Sequence, residues 1–293
     1  MSTYEAFVGE AAGLVPTMIR AAQRAAIQVH PLRRNISVIE GAGGNIAVLT
    51  GPDGKLLIDA GLTVSREQIA QALNAIATGE IRCLIDTHWH FDHTDGNAWV
   101  REAGASIIAH ENTKRHMAED TRVEDWNWTF PAAPPEALPA EVFATDYRLD
   151  WNQTTIVLDH YGPSHTDSDI SVTFTEADIF DAGDTWWNGV YPFIDYSTGG
   201  SIDGAIHAIE KNIDTVTSTT MVIPGHGPVG RKSELIEFRD MLMGIRYKVA
   251  SMKSAGRSLE EVIAAKPTAK YDAKWGQGLN TPAFFTGLVY KGV

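Results

Sequence analysis

Hydrophobic and polar positions change their spacing along the chain, and each change marks a predicted element. Residues 4–28 contain few turn formers and many Ala, Ile, Val and Gln, which predicts an N-terminal helical extension within residues 1–30. Short β-rich runs follow at 36–39, 45–49 and 55–59. The last two runs flank Gly51-Pro52-Asp53-Gly54, which is typical of a hairpin turn. A helix is predicted next, with Ser65 and Gln68 as its capping box.

The middle of the chain alternates strands and helices. A buried strand at 82–86, a helix at 94–103 and a strand at 106–109 predict a parallel strand pair. A second group of strands follows at 141–149, 154–160, 170–175 and 178–181. The remaining elements are a helix at 201–213 capped by Ser201, a strand at 220–223, and helices at 233–254, 258–266 and 281–290. Ser258 and Glu261 form a second candidate capping box.

Two β-rich halves, each followed by helices, predict an α/β fold built as a layered sandwich. No linker separates the halves, so we expect a single domain over residues 1–293, with the helices of 231–293 packed on it. Residues 119–140 form a long irregular stretch that contains four prolines together with Trp126, Trp128 and Phe130. A loop of that length is typical of a functional segment.

Composition places this pattern in an ordinary globular protein of 293 residues, of which 44% are hydrophobic and 21% charged. Lys and Arg number 24 and Asp and Glu 37, and this net charge of −13 is a poor match for nucleic-acid phosphates. We therefore expect a small-molecule substrate and no nucleic-acid partner. Cys83 is the one cysteine, so an intrachain disulfide is excluded and any metal must be held by His and carboxylate.

The sequence pattern contains no signal for membrane attachment or export. The first basic residue is Arg20, and Glu5 and Glu10 precede it, whereas a secretory signal begins with a basic stretch and an apolar run. A transmembrane helix needs about 18 consecutive apolar residues, and no stretch of the chain reaches that length. We therefore expect no membrane partner and a cytoplasmic location.

The segment Thr87-His88-Trp89-His90-Phe91-Asp92-His93 carries the densest chemistry of the chain. In an extended segment that leaves a strand, residues i and i+2 point the same way, so His88 and His90 can bind one metal ion from one side. As the chain turns into a helix, Asp92 and His93 can face a second ion. This arrangement is typical of a two-metal hydrolytic site.

Three later residues can complete these ligand sets, because each follows a predicted strand and lies beside small residues. They are His165 in Gly162-Pro163-Ser164-His165-Thr166, Asp184 in Gly183-Asp184-Thr185 and His226 in Pro224-Gly225-His226-Gly227. Gly and Pro permit tight turns that bring the backbone close to a metal. We expect structural roles for the remaining histidines, which are His30, His110, His116, His160 and His207.

These residues resemble the signature of the metallo-β-lactamase superfamily, which is His-x-His-x-Asp-His followed in order by a His, an Asp and a final His. All seven positions are matched between His88 and His226, and Leu57-Ile58-Asp59-Ala60-Gly61 resembles the family's strand-end Asp motif. The resemblance covers about residues 36–226. It implies the four-layer αββα sandwich of this family, with the metals held at one edge.

The resemblance also implies a role for each of the seven residues. His88, His90 and His165 would bind the first metal, Asp92, His93 and His226 the second, and Asp184 would bridge both. The implied cofactors are two Zn²⁺ ions, although Fe or Mn suits the same ligand types. A metal-bridging hydroxide would attack the substrate, with Asp92 and Asp184 in catalytic positions. No Ser or Cys nucleophile is then required, and we expect Cys83 in the core.

A bridging carboxylate at Asp184 resembles glyoxalase II-like thioesterases and lactonases more than true metallo-β-lactamases, which lack it. The resemblance therefore predicts hydrolysis of an ester, lactone, thioester or amide bond. Weak or promiscuous β-lactam hydrolysis is the alternative within the same chemistry. An iron-dependent oxidoreductase of this fold and a metal-binding protein without turnover are the alternatives from other classes.

Several further residues are candidates for supporting roles. Asp59 and Thr166 can orient a ligand histidine, and the Tyr191 hydroxyl can stabilise a developing oxyanion. An apolar pocket or a lid is predicted from Trp126, Trp128, Phe130, Trp186, Trp187, Tyr191 and Phe193. The C-terminal helices carry four large aromatic residues, which are Trp275, Phe284, Phe285 and Tyr290. Two roles are open for them: they can cap the core, or they can form a face between copies in a homo-oligomer.

Overall fold

A computed structural model describes residues 13–293 of the chain. The first helix begins at Leu14 and ends at Arg24, where Ala25 turns extended with a ψ of 141°. The predicted helix over 4–28 is therefore too long at its C-terminal end, because the chain after Arg24 leads into a strand. The part of that prediction before Gly13 lies outside the described residues.

The helices and strands occur in the following order. The α-helices are α1 (Leu14–Arg24), α2 (Arg66–Ile76), α3 (Phe91–Thr94), α4 (Asn97–Glu102), α5 (Glu111–Ala118), α6 (Ile202–Thr215), α7 (Lys232–Ser254), α8 (Leu259–Ala264), α9 (Asp272–Trp275) and α10 (Pro282–Lys291). The strands are β1 (Gln28–Pro31), β2 (Ile36–Glu40), β3 (Ile46–Leu49), β4 (Lys55–Ile58), β5 (Ile81–Asp86), β6 (Ser106–His110), β7 (Thr121–Val123), β8 (Trp128–Phe130), β9 (Glu141–Phe143), β10 (Asp146–Trp151), β11 (Thr154–Asp159), β12 (Ser171–Phe174), β13 (Ile179–Asp181) and β14 (Met221–Ile223).

Most of these strands form two sheets. The first has the order β1-β2-β3-β4-β5-β6-β9, and the second has the order β10-β11-β12-β13-β14. Strands β3 and β4 pair antiparallel across the predicted turn, and β5 and β6 pair parallel, so both pairing predictions are confirmed. In the second sheet β13 and β14 are also parallel, so their C-terminal ends lie side by side.

The core has three apolar layers. Between the sheets, side chains such as Ile58 and Ile85 of the first sheet pack with Val172 and Ile179 of the second. The outer face of the first sheet packs on α2 and α4, and the outer face of the second packs on α6, α7 and α10. This is the predicted αββα sandwich. It also explains why β2 to β4 are almost continuously apolar, since both of their faces are buried.

Two predicted elements are interrupted in the structure. The strand over 141–149 is wrong as one element, because β9 belongs to the first sheet and β10 to the second. The chain crosses between the sheets at residues 144–145, and an apolar pattern does not record such a crossing. The helix over 94–103 divides into α3 and α4. Gly96 lies at the division, where a Cβ would collide with the Ala60 carbonyl oxygen.

The predicted helix caps have mixed outcomes. Ser65 makes no side-chain bond to α2, and its Oγ lies 3.5 Å from the Ala22 carbonyl oxygen, so that capping box is wrong. The side chain of Ser258 accepts from the Glu261 amide at 3.3 Å while the Ser258 amide donates to the Glu261 carboxylate at 2.8 Å. Ser201 accepts from the Gly204 amide at 2.9 Å. Both of these caps are confirmed.

Residues 119–140 are more ordered than predicted, because β7 and β8 pair as a short antiparallel hairpin. Its turn passes through Asn127 at a φ of 48°, a left-handed conformation that Asn tolerates better than most residues. At the C-terminus, Trp275 and Phe285 are buried in the core beside α7, which confirms the capping role for these two side chains. A homo-oligomer stays a prediction. Every helix within residues 13–293 is too short or too polar to cross a membrane.

Candidate metal centre

The seven predicted ligands lie at the ends of strands from both sheets. His88 and His90 follow β5, and Asp92 and His93 lie on the short helix α3 that comes next. The other three ligands follow strands of the second sheet, with His165 after β11, Asp184 after β13 and His226 after β14. Because these strand ends meet at one edge of the sandwich, residues far apart in sequence converge there. All seven side chains are buried.

The first ligand group consists of His88, His90, His165 and Asp184, whose ligand atoms lie within 4.8 Å of one another. His165 Nε2 is 2.8 Å from His90 Nδ1 and 3.2 Å from Asp184 Oδ2. His88 Nε2 lies 3.7 Å from the same carboxylate oxygen. Four potential ligand atoms therefore surround one position.

The second ligand group consists of Asp92, His93 and His226, again within 4.8 Å of one another. His226 Nε2 lies 3.3 Å from Asp92 Oδ2 and 3.4 Å from His93 Nε2. Asp184 contributes its other oxygen here, since Oδ1 is 3.3 Å from His93 Nε2 and 3.5 Å from His226 Nε2. One carboxylate thus faces both groups, a different oxygen toward each.

Hydrogen bonds on the outer side of each ring decide which nitrogens face inward. The ring N–H of His93 donates to Asp59 at 2.7 Å, that of His90 to Asp195 at 3.1 Å and that of His165 to the Phe193 carbonyl at 2.8 Å. His88 Nδ1 lies 3.1 Å from the Thr87 hydroxyl. The opposite nitrogen of each ring therefore directs its lone pair into the cluster.

This inward arrangement of lone pairs fits divalent metal ions. His90 Nδ1 and His165 Nε2 face each other at 2.8 Å, and two such lone pairs repel unless a cation lies between the rings. His88 Nε2 and Asp184 Oδ1 are buried without a hydrogen-bond partner, which is costly for polar atoms unless they coordinate an ion. Imidazole nitrogens with carboxylate oxygens are a typical donor set for Zn²⁺, and Fe and Mn accept it as well.

Comparison with known protein families agrees with the family resemblance of the sequence. The family model described as "Metallo-beta-lactamase superfamily" matches residues 39–231. The chain belongs to this superfamily. The matched range contains all seven residues of the two candidate ligand groups.

Solved structures show the same fold at low sequence identity. A metallo-beta-lactamase from Pontibacter korlensis is 18% identical with a TM-score of 0.59, and the match covers 74% of this chain and 99% of that one. DIM-1 metallo-beta-lactamase is 17% identical with a TM-score of 0.59, covering 74% and 97%. The sec-alkylsulfatase Pisa1 from Pseudomonas sp. is 15% identical with a TM-score of 0.67, covering 94% of this chain and 52% of that one. This superfamily member therefore spans about half the length of the alkylsulfatase.

Asp59, the residue at the end of β4, supports the candidate metal centre through hydrogen bonds. Its backbone adopts a φ of 64°, in the left-handed region. The carboxylate accepts from the Thr87 amide at 2.7 Å, from the Thr87 hydroxyl at 2.8 Å and from His93 Nδ1. The expected orienting role of Asp59 is confirmed. The same expectation for Thr166 is wrong, because its hydroxyl bonds to Ser168 and Asp169 instead.

Asp195 is a supporting residue that the sequence did not reveal. Its carboxylate accepts from His90 Nε2 at 3.1 Å and from the Thr198 hydroxyl at 2.7 Å, and the residue is fully buried. The Phe193 carbonyl, which orients His165, lies in the same loop. An isolated Asp in a loop carries no spacing signal, and a backbone carbonyl has no signature in sequence at all.

The charges of the centre favour bound cations. Burial by itself raises the pKa of Asp184, but the nearby imidazoles of His226 and His93 outweigh it and hold that pKa well below its ordinary value. For His93 burial lowers the pKa, and the carboxylates of Asp184, Asp59 and Asp92 outweigh burial and raise it well above the ordinary value. The carboxylates therefore favour positive charge beside His93, which is the charge that a bound metal ion would supply.

Glycines allow the backbone to approach the ligands closely. At Gly44 an added Cβ would overlap the His93 ring, and at Gly225 it would overlap Asp184 Oδ1. Neither Gly44 nor Gly225 has a positive φ, so the backbone conformation does not itself require glycine at these two positions. Glycine is required at both positions because any larger residue would occupy the space of His93 or Asp184.

Tyr191 does not have the position expected for a group that stabilises an oxyanion. Its ring is fully buried and stacks on Phe285 at 4.8 Å, while its hydroxyl donates to Asp272 Oδ1 at 2.8 Å. Burial, together with the Asp272 carboxylate, raises the pKa of this hydroxyl. Tyr191 therefore connects the loop after Asp184 to the C-terminal helices, and we correct its assignment from a catalytic to a structural role.

The other aromatic residues lie partly beside the candidate ligands and partly in the core. Trp126 stacks on Phe193 at 4.6 Å and lies 5.0 Å from the His90 ring, and the Trp187 ring lies 4.2 Å from the His226 ring. These side chains form apolar walls around the centre. Trp186 is fully buried in the core. The predicted apolar lining thus exists but is formed by part of the predicted set.

Proposed function

We propose that this superfamily member is a dinuclear metal-dependent hydrolase that cleaves an ester, lactone, thioester or amide bond of a small molecule. The observation that carries the proposal is Asp184, whose Oδ2 faces His165 at 3.2 Å and whose Oδ1 faces His93 at 3.3 Å. A carboxylate in this position can bridge two ions. The membership of a superfamily that includes hydrolases supports the same reaction class.

The residues divide into two ligand sets in this proposal. His88, His90 and His165 hold one ion, Asp92, His93 and His226 hold the other, and Asp184 contacts both. We propose zinc for both positions, with iron or manganese as alternatives, because the donor atoms suit all three metals. When bound, two such ions lower the pKa of water toward neutrality and polarise a carbonyl group.

The charge balance of these residues favours a developing oxyanion. Asp92 and Asp184 compensate only half of the charge of two divalent ions, so the centre keeps a positive charge that attracts a carbonyl oxygen. Since Asp92 and Asp184 lie within the two ligand groups, their carboxylates are suited to orient a reacting water by accepting its hydrogen bonds.

A substrate panel tests the proposal. Zinc-loaded protein is assayed with an aryl ester, an acyl-homoserine lactone, S-lactoylglutathione and a penicillin, each with and without chelator. We expect chelator-sensitive hydrolysis of at least one acyl compound and its loss in Asp184→Ala. A protein that binds two zinc ions and hydrolyses none of the four would contradict the proposal. In that case, metal analysis after expression would separate an iron-dependent oxidoreductase from a protein without turnover.

A further inference from the structure

A cavity of about 330 Å³ opens beside the second ligand group, where Asp92 and His226 form part of its wall. This volume lies at the lower end of the range of about 300–1,000 Å³ for small-molecule sites. The cavity therefore has room for a group of a few carbon atoms directly next to the ligands. Its chemistry bears on which substrates can reach the centre.

Helix α1 supplies one wall of this cavity. Met18, Ala21 and Ala25 line it, and their spacing of three and four residues places them on one face at the end of the helix. The two alanines are half-buried, and the cavity continues where larger side chains would fill it. The length of the group that the cavity can accept is therefore limited by Ala21 and Ala25.

Another part of the cavity wall is also apolar. Trp187, Val190 and Leu279 line it, and the Trp187 ring lies 4.2 Å from the His226 ring. This ring thus connects the cavity to the ligand group without a gap. An apolar group bound here would be held between α1 and Trp187, with its reacting end at Asp92 and His226.

The acidic groups of the cavity wall bear on which acyl groups can bind there, and Glu40 Oε2 lies 3.3 Å from His30 Nε2. Glu40 and Asp92 are the carboxylates in its wall, and no Lys or Arg of residues 13–293 lines it. Arg20 of α1 donates to the Thr17 hydroxyl at 3.0 Å. An anionic group at the far end of an acyl chain would find no Lys or Arg among the described lining residues and would share the cavity with the Glu40 carboxylate, which is unfavourable.

We infer that the cavity receives an uncharged, apolar acyl group of the substrate and discriminates against an anionic group in that place. This inference rests on the proposed hydrolysis, to which it adds the substrate class. Ala21 and Ala25 determine how long an acyl group is accepted, and Glu40 contributes to the rejection of a carboxylate.

A matched pair of esters tests the charge discrimination. The zinc-loaded protein is assayed with 4-nitrophenyl hexanoate and with mono-4-nitrophenyl adipate, which share the leaving group and a six-carbon acyl chain. Water converts each ester to its carboxylic acid and 4-nitrophenol. We expect kcat/KM to be at least about tenfold higher for the hexanoate, a difference of about 1.4 kcal/mol. Glu40→Gln should raise kcat/KM for the adipate ester relative to kcat/KM for the hexanoate, and an unchanged ratio would show that Glu40 takes no part in the discrimination.

A second arm tests the wall of α1 without relying on turnover. Binding of hexanamide to the zinc-loaded protein is measured by calorimetry for the wild type, Ala21→Leu and the matched control Gln23→Leu. Gln23 is exposed on the same helix, and this control adds the same side chain outside the cavity. We expect at least about tenfold weaker binding in Ala21→Leu and wild-type binding in Gln23→Leu, with circular dichroism confirming that both variants fold.

The outcomes separate this inference from the proposed function. Hydrolysis of the adipate ester as fast as the hexanoate, or unchanged hexanamide binding in Ala21→Leu, would overturn the inference and leave the hydrolase proposal standing. If neither ester is hydrolysed, the hydrolase proposal is contradicted for esters, and the hexanamide measurement still decides whether the cavity binds an apolar group against α1.

Discussion

His93 Nδ1 donates to Asp59 Oδ2 at 2.7 Å, while the Nε2 of the same ring lies 3.3 Å from Asp184 Oδ1. The first contact fixes the tautomer of the imidazole, so the second nitrogen presents its lone pair to the ligand cluster. Asp59 reaches this position because its backbone adopts a left-handed φ at the end of β4. A residue that is not itself one of the seven candidate ligands therefore decides how a ligand is oriented.

Replacing Asp59 should weaken metal binding without removing a ligand. In Asp59→Ala the His93 ring loses the acceptor that orients it, and we expect zinc affinity to fall by about 10–100-fold. Competition with a chromophoric chelator measures this change. The control is Asp214→Ala, which removes an exposed carboxylate at the end of α6. Equal affinities in Asp59→Ala and the control would show that His93 needs no such support.

Asp184→Asn should change the number of metal ions that the protein holds. The amide keeps one oxygen but loses the charge and the second anionic oxygen, so it can satisfy only one of the two ligand groups. We expect the zinc content after dialysis to fall from about two ions per chain toward one, with hydrolysis reduced by at least about 100-fold. Elemental analysis and an ester assay measure the two effects. Two tightly bound ions in the variant would argue against bridging.

Gly225→Ala should impair the centre through sterics alone. The added Cβ would overlap Asp184 Oδ1, so the carboxylate must move away from both ligand groups. We expect weaker zinc binding and lower thermal stability. The matched control is Gly287→Ala in α10, where an added Cβ meets open space. Because Ala is a better helix former, the control should gain about 0.5–1 kcal/mol of stability in chemical denaturation.

Tyr191→Phe should lower stability and leave catalysis intact. The substitution removes the hydroxyl that donates to Asp272 but keeps the ring that stacks on Phe285. We expect a loss of about 1–2 kcal/mol in the free energy of unfolding, because the hydrogen bond is made to a carboxylate. The kcat measured on the best ester should stay within about twofold of the wild type. A kcat at least tenfold lower, at unchanged stability, would restore the oxyanion role.

The Cys83 thiol should be unreactive in the folded protein. Burial, followed by the nearby carboxylates of Glu141 and Asp86, raises its pKa from the ordinary 9.0 to about 12. At pH 8 we expect no reaction with a disulfide reagent in the native state and one thiol per chain in guanidinium. Because the folded pKa is the higher one, the stabilising contribution of the neutral thiol is full below about pH 9 and declines as the pH rises toward 12.

Cys83→Ser provides the background for this measurement, since it removes the one cysteine of the chain. It should show no reaction in either state. Rapid labelling of the native wild type at pH 8 would mean that β5 opens readily, because Cys83 is only 3% exposed in the folded structure.

The chemistry of the centre was readable from sequence because it is encoded locally. His88, His90, Asp92 and His93 lie within six consecutive positions at a strand end, where backbone geometry alone determines which way they face. The layered sandwich was likewise predictable, since continuous apolar runs such as those of β3 and β4 require burial on both faces. The turn between β3 and β4 was marked by Pro and Gly.

Tertiary packing decided the features that involve distant residues. The bond from His90 to Asp195 spans 105 positions, and nothing near either residue in sequence indicates the partner. The division of 141–149 between two sheets and the attachment of Tyr191 to Asp272 depend on which surfaces meet. The cavity is lined by residues of α1 together with Trp187, which lie far apart in the sequence. By itself the sequence determined the local part of the candidate ligand set and the layers, since both follow from local backbone geometry and periodic burial. Packing alone decided the supporting contacts and the shape of the cavity, because they depend on the relative positions of whole elements.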